Sequence, residues 1–419
     1  MFSDRISDYF EGVAAKYLRA VDAHPKKTKS NQHEIGGLPD AGFKRWLGTP
    51  NKDEKFHFPV RQVYIRDGGE KPTICDSKVS WYDCRYKKPN RSPEYRLYYS
   101  DTPVTLQLSP SDFFLIAKMK DGTLLMVFTP AGSSVENQLR TLFSLGLVDA
   151  QFRAGTLDVI NLLLPLRLML EDLGIEMSKP ATADATWLSR LLDKFGGAEF
   201  PRTADFSKFA RDSISKEVDP LSNPDETLMN WMDHEEKLFR IYERHLVQDK
   251  LRAGFGAKGD DVDEFISFSL SVQNRRKARV GQAFEGHLDK LFKLNKLKFE
   301  QGRGKGRYTE NNVRPDFLFP SFADYRNPDF PAAKLTMLGA KTTCKDRWRQ
   351  VLSEAARIPS KHLITLEAAI SEAQTDEMIS HHLQLVIPAS IHATYSPRQK
   401  PSLQDLHAFI NQIKAIQSN

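Results

Sequence analysis

The sequence predicts a multidomain chain: a β-rich, barrel-like domain over residues 1–178, a hinge at 179–199, and an α/β domain with a mixed central sheet over residues 200–419. Three observations carry this reading. Between residues 57 and 130, short apolar runs are separated by Gly, Asp, Asn and Pro, as in successive strands. From Pro224 onward, apolar residues recur at helical spacing. Beyond Arg314, apolar runs alternate with helical segments, the pattern of an α/β sheet.

In chain order, residues 4–22 read as a helix, with Ile6, Tyr9, Phe10, Val13, Ala14, Tyr17 and Leu18 as its apolar stripe. A polar, Gly-containing segment follows and suggests a loop. The runs HFPVRQVYI, YRLYYS, VTLQL, DFFLIAKM and TLLMVFTP are expected strands. KMKDGT, residues 118–123, sets Asp-Gly between two apolar runs and predicts a hairpin. A helix near residues 136–145 closes the domain. Basic and aromatic residues interleave from Trp81 to Tyr99, which suits either a phosphate-tracking surface or a half-buried strand. Leucine-rich residues 155–175 are interrupted by Pro165, and the Ser-Lys-Pro-Ala-Thr after them marks either the hinge or an internal loop.

At 419 residues there is room for two or three domains, each with a sizeable core. A formal charge of +6 permits a polyanionic partner without demanding one. Cys75, Cys84 and Cys344 are too few and too irregularly spaced for a disulfide framework or a zinc site, and they fit a reducing cytoplasm. The N-terminal stretch has acids where a secretory signal is basic, and no segment reaches membrane-spanning length, so a cytoplasmic protein with no membrane partner is expected.

In the C-terminal half, residues 224–249, 262–272 and 276–299 are expected helices. In the last of these, Val280, Phe284, Leu288 and Leu291 form the buried stripe and leave Glu285 at its edge. Arg275, Arg276, Lys277 and Arg279 would approach a phosphate backbone, or form only a solvated face. GRGKGR, residues 302–307, lacks the spacing and terminal Lys-Ser/Thr of a P-loop and suits a flexible basic loop. Asp316 precedes the apolar run Phe317, Leu318 and Phe319. A second run ends at Lys341, and helical spacing then puts Arg347, Val351 and Glu354 on one face. A strand at residues 362–366, a helix at 367–380, a strand at 383–388 and a terminal helix from about Ser402 complete the chain.

An aspartate on one strand, a lysine ending the next and a glutamate on the following helix suit phosphodiester hydrolysis. That chemistry needs a hard divalent cation held by one or two carboxylates and a positive group beside the attacking water. Asp316 and Glu354 would hold Mg²⁺, with Lys341 next to the water. A turn at Pro-Asp and a chance Asp–Lys spacing are the bland alternative.

PDFLFPS at residues 315–321, Tyr325 and KTTCKDRWRQ at 341–350 resemble the C-terminal catalytic domain of EcoRII-type (type II/IIE) restriction endonucleases, members of the PD-(D/E)XK nuclease superfamily. NRRKARVG at residues 274–281 followed by Glu285 resembles the basic helix of that domain. The resemblance implies a catalytic set of Asp316, Lys341 and Glu354, with Glu285 as an additional acid and Tyr325 either near the chemistry or a packed loop aromatic. It also implies that the second metal carboxylate has moved from the position two before the lysine, here Gly339, to Glu354. Lys345, Asp346 and Arg347 correspond to a cluster that reads adjacent C·G pairs, since Arg or Lys donates to guanine and a carboxylate accepts from cytosine N4; a charged helix start is the alternative.

More weakly, the N-terminal domain resembles the DNA-binding pseudobarrel that precedes the catalytic part in these enzymes. The expected function is that of a Mg²⁺-dependent type II site-specific deoxyribonuclease. It would cut double-stranded DNA at a CCWGG-like site as a homodimer, with an N-terminal domain that binds DNA and can autoinhibit. A companion cytosine methyltransferase would be a partner in the restriction-modification system, not a stable subunit. The alternatives are a modification-dependent or repair nuclease and a non-cutting sequence-specific regulator.

Overall fold

The computed structural model describes residues 6–23, 33–68, 71–87, 90–146, 148–157, 164–172, 185–344 and 347–418. The chain divides into two compact units, Met1–Met177 with Ala368–Thr375, and Ser178–Glu367 with Asp376–Asn419.

The first unit contains β1 (Phe10–Tyr17), β2 (Glu34–Ile35), α1 (Lys44–Leu47), β3 (Phe56–Tyr64), β4 (Thr73–Asp83), β5 (Tyr95–Tyr98), β6 (Phe113–Met119), β7 (Leu124–Thr129), α2 (Ser134–Leu142), β8 (Arg153–Ala154) and α3 (Leu164–Asp172). Its strands form one curled sheet in the order β2-β5-β4-β3-β7-β6-β1-β8. The β-rich expectation holds, with β2 and β8 as the ends of the strand order. The Asp-Gly hairpin is present, with Lys118 opposite Leu124 where β6 meets β7. In α3, Pro165 sits in the first turn, where a missing N–H costs nothing.

Two expectations are corrected. Residues 10–17 form a strand instead of a helix, next to last in the sheet, paired with β6 on one side and with the short β8 on the other. Their inward burial is nearly continuous, and Gly12 lets Trp46 close over the strand, where an added Cβ would meet the indole at 1.9 Å. Sheet pairing here overrides the helical spacing of the apolar residues. VTLQL is also not a strand: residues 105–107 make a 3-10 turn, tied by Thr102 and Thr105, each accepting from the other's amide through its hydroxyl.

Some of the interleaved aromatics serve the core, while Tyr98 stays exposed. Trp81 and Tyr99 are fully buried, and Trp81 donates to the Gly48 carbonyl and stacks on Tyr95. Arg96 is held by Glu34 and Glu94.

The second unit begins with α4 (Ala185–Phe195), α5 (Thr203–Ser213), α6 (Pro224–Ala253) and α7 (Val262–Leu294). Residues 179–184 of the expected hinge lie outside the described residues. Within the remainder, α4 buries Leu191 against Phe206, Phe239 and Tyr242, so it packs as part of this unit. The two helices expected at 262–272 and 276–299 are the single helix α7, capped at its start by Asp261, which accepts from the Glu264 amide.

There follow β9 (Glu300–Gln301), β10 (Phe317–Phe319), α8 (Phe322–Arg326), β11 (Thr336–Lys341), α9 (Trp348–Leu352), β12 (Lys361–Thr365), α10 (Glu372–Ser380), β13 (Leu383–Val386) and α11 (Leu406–Ser418). The sheet order is β13-β12-β11-β10-β9, parallel from β11 to β13 and antiparallel from β9 to β11, so the mixed sheet is present as expected. The helix expected from residue 367 begins only at Glu372. Among the described residues, no helix is long and apolar enough to cross a membrane.

Candidate active site

The sheet register brings the first two candidates together. β10 runs antiparallel to β11 with Phe317 opposite Leu338, so the residue before β10 lies beside the end of β11. Asp316 Oδ2 accepts from the Ala340 amide at 2.7 Å and from Lys341 Nζ at 2.6 Å. Both side chains retain some exposure, 17% and 19%, so the pair is open to a ligand.

Glu354 arrives by a different route from the one expected. It lies not on α9 but on the turn just after it, followed by Ala355 in the left-handed region at φ 49°. Its carboxyl is 8% exposed, and Oε2 has no hydrogen-bond partner. Burial first, and then the charge of Asp316, push it up to about 8, while Lys341 and Lys361 pull the other way. Asp316 and Glu354 thus lie in each other's field. Glu285 on α7 joins them: burial and the Asp316 charge raise its carboxyl, opposed by Arg303, whose guanidinium is 2.5 Å away.

The glycine two before the lysine has a packing reason. A Cβ at Gly339 would meet Val351 Cγ2 at 2.9 Å, so α9 rests on the strand where a carboxylate would otherwise project.

A divalent cation fits this donor set. A buried, unpartnered carboxylate oxygen beside a second carboxylate is stabilised when a cation neutralises both. Among the described residues, no group of three or more His, Cys, Asp or Glu forms a metal cluster. Two carboxylates completed by water and phosphate oxygens are the usual complement for Mg²⁺.

Tyr325 is placed as the packed aromatic. It is 2% exposed, and its hydroxyl donates to Glu310 at 2.6 Å and accepts from the Arg357 amide at 3.2 Å. Glu310 also accepts from the Ala356 amide at 3.2 Å, and Thr309 Oγ1 from the Ala355 amide at 3.4 Å. Glu310 and Tyr325 therefore fasten the backbone that immediately follows Glu354. Sequence reasoning missed Glu310, Arg303 and Lys361. Only the placement of GRGKGR before β10 hinted at one of them.

The basic run separates by burial. Arg279 is corrected: it is 5% exposed, ion-paired to Glu235 at 2.5 Å and packed against the rings of Phe206 and Phe239, so it is a core residue and not a phosphate contact. Arg276 pairs with Glu243 at 2.7 Å, Arg275 lies over Phe200, and Lys277 is exposed. Arg347 is exposed at the start of α9 and donates back to Thr343. Lys345 and Asp346 lie outside the described residues.

Comparison with known proteins bears on the half of the chain that carries this site. Residues 239–410 match the EcoRII C-terminal family model. The type II restriction enzyme EcoRII of Escherichia coli is 40% identical over 217 residues, which are 52% of this chain and 51% of that protein. The chain thus matches about half the length of this curated relative. Among solved structures, metal-depleted Ecl18kI in complex with uncleaved DNA aligns at a TM-score of 0.44 and 16% identity, over 56% of this chain and 83% of that one. A restriction endonuclease PspGI–substrate DNA complex aligns at 0.43 and 14%, over 52% and 94%. The EcoRII C-terminal resemblance read from the motifs is therefore found, and its span includes Glu285, Asp316, Lys341 and Glu354.

Proposed function

We propose that the protein is a type II restriction endonuclease that makes Mg²⁺-dependent double-strand cuts in DNA at a short CC/GG-containing, CCWGG-like site. The observation that carries this reading is the convergence of Asp316, Lys341 and the buried, unpartnered carboxylate of Glu354 at one end of the mixed sheet. The 40% identity to a type II restriction enzyme over this half supports it.

Asp316 and Glu354 would hold the cation. When bound, it would supply Lewis-acid polarisation of the scissile phosphate and a lowered pKa for bound water. Lys341, fixed by Asp316, presents an ammonium where negative charge accumulates in the pentavalent state. Glu285, checked by Arg303, adds an acid at the rim. Arg347, with Lys345 and Asp346, is assigned to base reading, and Arg275 and Lys277 to the phosphate backbone, while Arg276 stays paired to Glu243. Tyr325 acts by positioning. Residues 1–178 bind DNA and can restrain cutting, residues 179–199 connect the two parts with α4 packed on the second, and residues 200–419 cut. A cut in both strands of a symmetric site calls for two such centres, hence a homodimer in the cytoplasm, with a cytosine methyltransferase as the protecting counterpart.

The test is digestion of unmethylated and cytosine-methylated plasmids carrying several CCWGG sites, with Mg²⁺ or with EDTA. Discrete fragments from the unmethylated plasmid with Mg²⁺ alone, with ends mapping to one sequence, support the reading. Cutting confined to the methylated plasmid assigns the protein to modification-dependent nucleases.

A further inference from the structure

We infer that Arg303, in the basic loop GRGKGR, grips a DNA phosphate next to the one being cut and is parked on Glu285 until DNA arrives. The inference deepens the nuclease reading and rests on it for the identity of the polyanion.

The loop is built to stand beside the cutting centre. Gly302 opens it as β9 ends, and its amide donates to the Pro315 carbonyl at 3.1 Å, one residue before Asp316. A Cβ at Gly302 would meet that carbonyl oxygen at 2.4 Å, so this close approach requires glycine. The return of the loop is pinned as well. Arg326 donates to the Gly306 carbonyl at 2.7 Å, and Arg307 folds back on the Arg303 carbonyl at 3.3 Å and on Glu300 at 3.4 Å. Glu300 in turn accepts from the Phe322 amide at 2.7 Å, which ties the loop to the start of α8.

Arg307 and Arg326 thus hold the loop, and the loop presents Arg303. That side chain is 57% exposed, and its Nη2 donates to Glu285 Oε2 at 2.5 Å. Glu285 is 22% exposed and lies in the field of Asp316, so Arg303 covers an acid of the centre from the solvent side. Lys305, near the tip, is exposed and adds charge of the same sign. An ion pair this open contributes little to stability, which leaves a firmly anchored cation to be explained. A phosphate explains it, because a guanidinium can donate to two phosphate oxygens at once. The anchor lies one residue from Asp316, so the phosphate within reach is a neighbour of the one facing Asp316 and Glu354. Exchange replaces one anion by another on Arg303 and releases Glu285 to face the cation with Asp316.

A binding cycle with the full-length protein tests this, under EDTA so that the duplexes stay whole. Wild type, Arg303→Ala and Arg303→Lys are titrated with duplexes carrying a CCWGG site, each phosphate of the site made a neutral methylphosphonate in turn. Wild type is expected to lose about tenfold in affinity at one phosphate whose neutralisation Arg303→Ala ignores. On the unmodified duplex, the slope of log affinity against log salt should be shallower by about 0.9 for Arg303→Ala, one phosphate contact, and restored in Arg303→Lys. Circular dichroism melts confirm that each variant is folded. Equal methylphosphonate losses in wild type and Arg303→Ala, an unchanged slope, or a lysine variant no better than alanine overturns the contact. Plasmid cleavage by wild type with Mg²⁺ is scored separately. Cleavage alongside an unchanged slope rejects the contact and keeps the nuclease; an Arg303-dependent phosphate in a protein that never cuts rejects the nuclease and keeps the contact.

Discussion

Lys341 Nζ stands 2.6 Å from Asp316 Oδ2, and the amide of Ala340 donates to that same oxygen at 2.7 Å. The carboxylate is fixed by two donors from one strand end, so the ammonium is aimed before any substrate arrives. Preorganised charge of this kind acts on the transition state more than on binding. Lys341→Ala is therefore expected to slow single-turnover cleavage of a duplex oligonucleotide by about 10²–10³-fold, with its dissociation constant for that duplex little changed. An equal loss in both would make Lys341 a DNA-binding residue.

Glu354 carries a pH signature. Its folded-state value of about 8 lies above the ordinary carboxyl value of 4.5, so between these limits the folded state holds a proton that the unfolded state has released. Stability from this group is present at low pH, is lost as pH rises through that window and is fully lost above about 8. Glu354→Gln stays neutral throughout. Without metal, the Tm of wild type should fall below that of the variant as pH is raised, and excess divalent cation should lift wild type alone. A Tm difference that ignores pH would contradict the burial assigned to this carboxyl.

Tyr325 reaches the site through Glu310 and the backbone after Glu354. Tyr325→Phe removes a hydroxyl that donates to the Glu310 carboxylate, a bond to a charged group worth roughly 1.5–3 kcal/mol, and because it acts only through the backbone after Glu354 a loss of about tenfold in single-turnover rate is expected. A loss on the scale of Lys341→Ala would instead place the tyrosine at the reacting phosphate.

Arg279 is paired inside the helical layer, where Glu235 also meets His287 at 3.0 Å and Ser207 at 3.0 Å. Arg279→Met leaves that carboxylate short of a partner and should destabilise the protein by about 3–5 kcal/mol, read by urea denaturation. The salt dependence of DNA binding should keep its slope, because no phosphate contact is lost. A shallower slope with unchanged stability would return Arg279 to the DNA surface.

The candidate centre was legible in the sequence because its parts sit on short-range features: an aspartate before an apolar run, a lysine ending the next, and a motif long enough to fix their register. The mixed sheet followed from the same runs. What stayed hidden depended on contacts remote in sequence. β1 reads as a helix in sequence because its apolar residues also satisfy helical spacing, and only pairing with β6 and β8 makes it a strand. Arg279 stands among basic neighbours, and nothing local shows that Glu235 and two phenylalanines enclose it. Glu310 gave no signal, since its role comes from facing a turn formed far along the chain.

Whether Asp316, Lys341 and Glu354 form one metal-dependent cutting centre is read by single-turnover cleavage with Asp316→Ala, Glu354→Ala and the double variant, with and without Mg²⁺. Residues acting as a unit lose their effect together. Each single variant is expected to fall at least about 10³-fold, the double variant no further, and Mg²⁺ to accelerate wild type alone. Wild-type rates from Asp316→Ala, or losses that multiply in the double variant, would contradict the account.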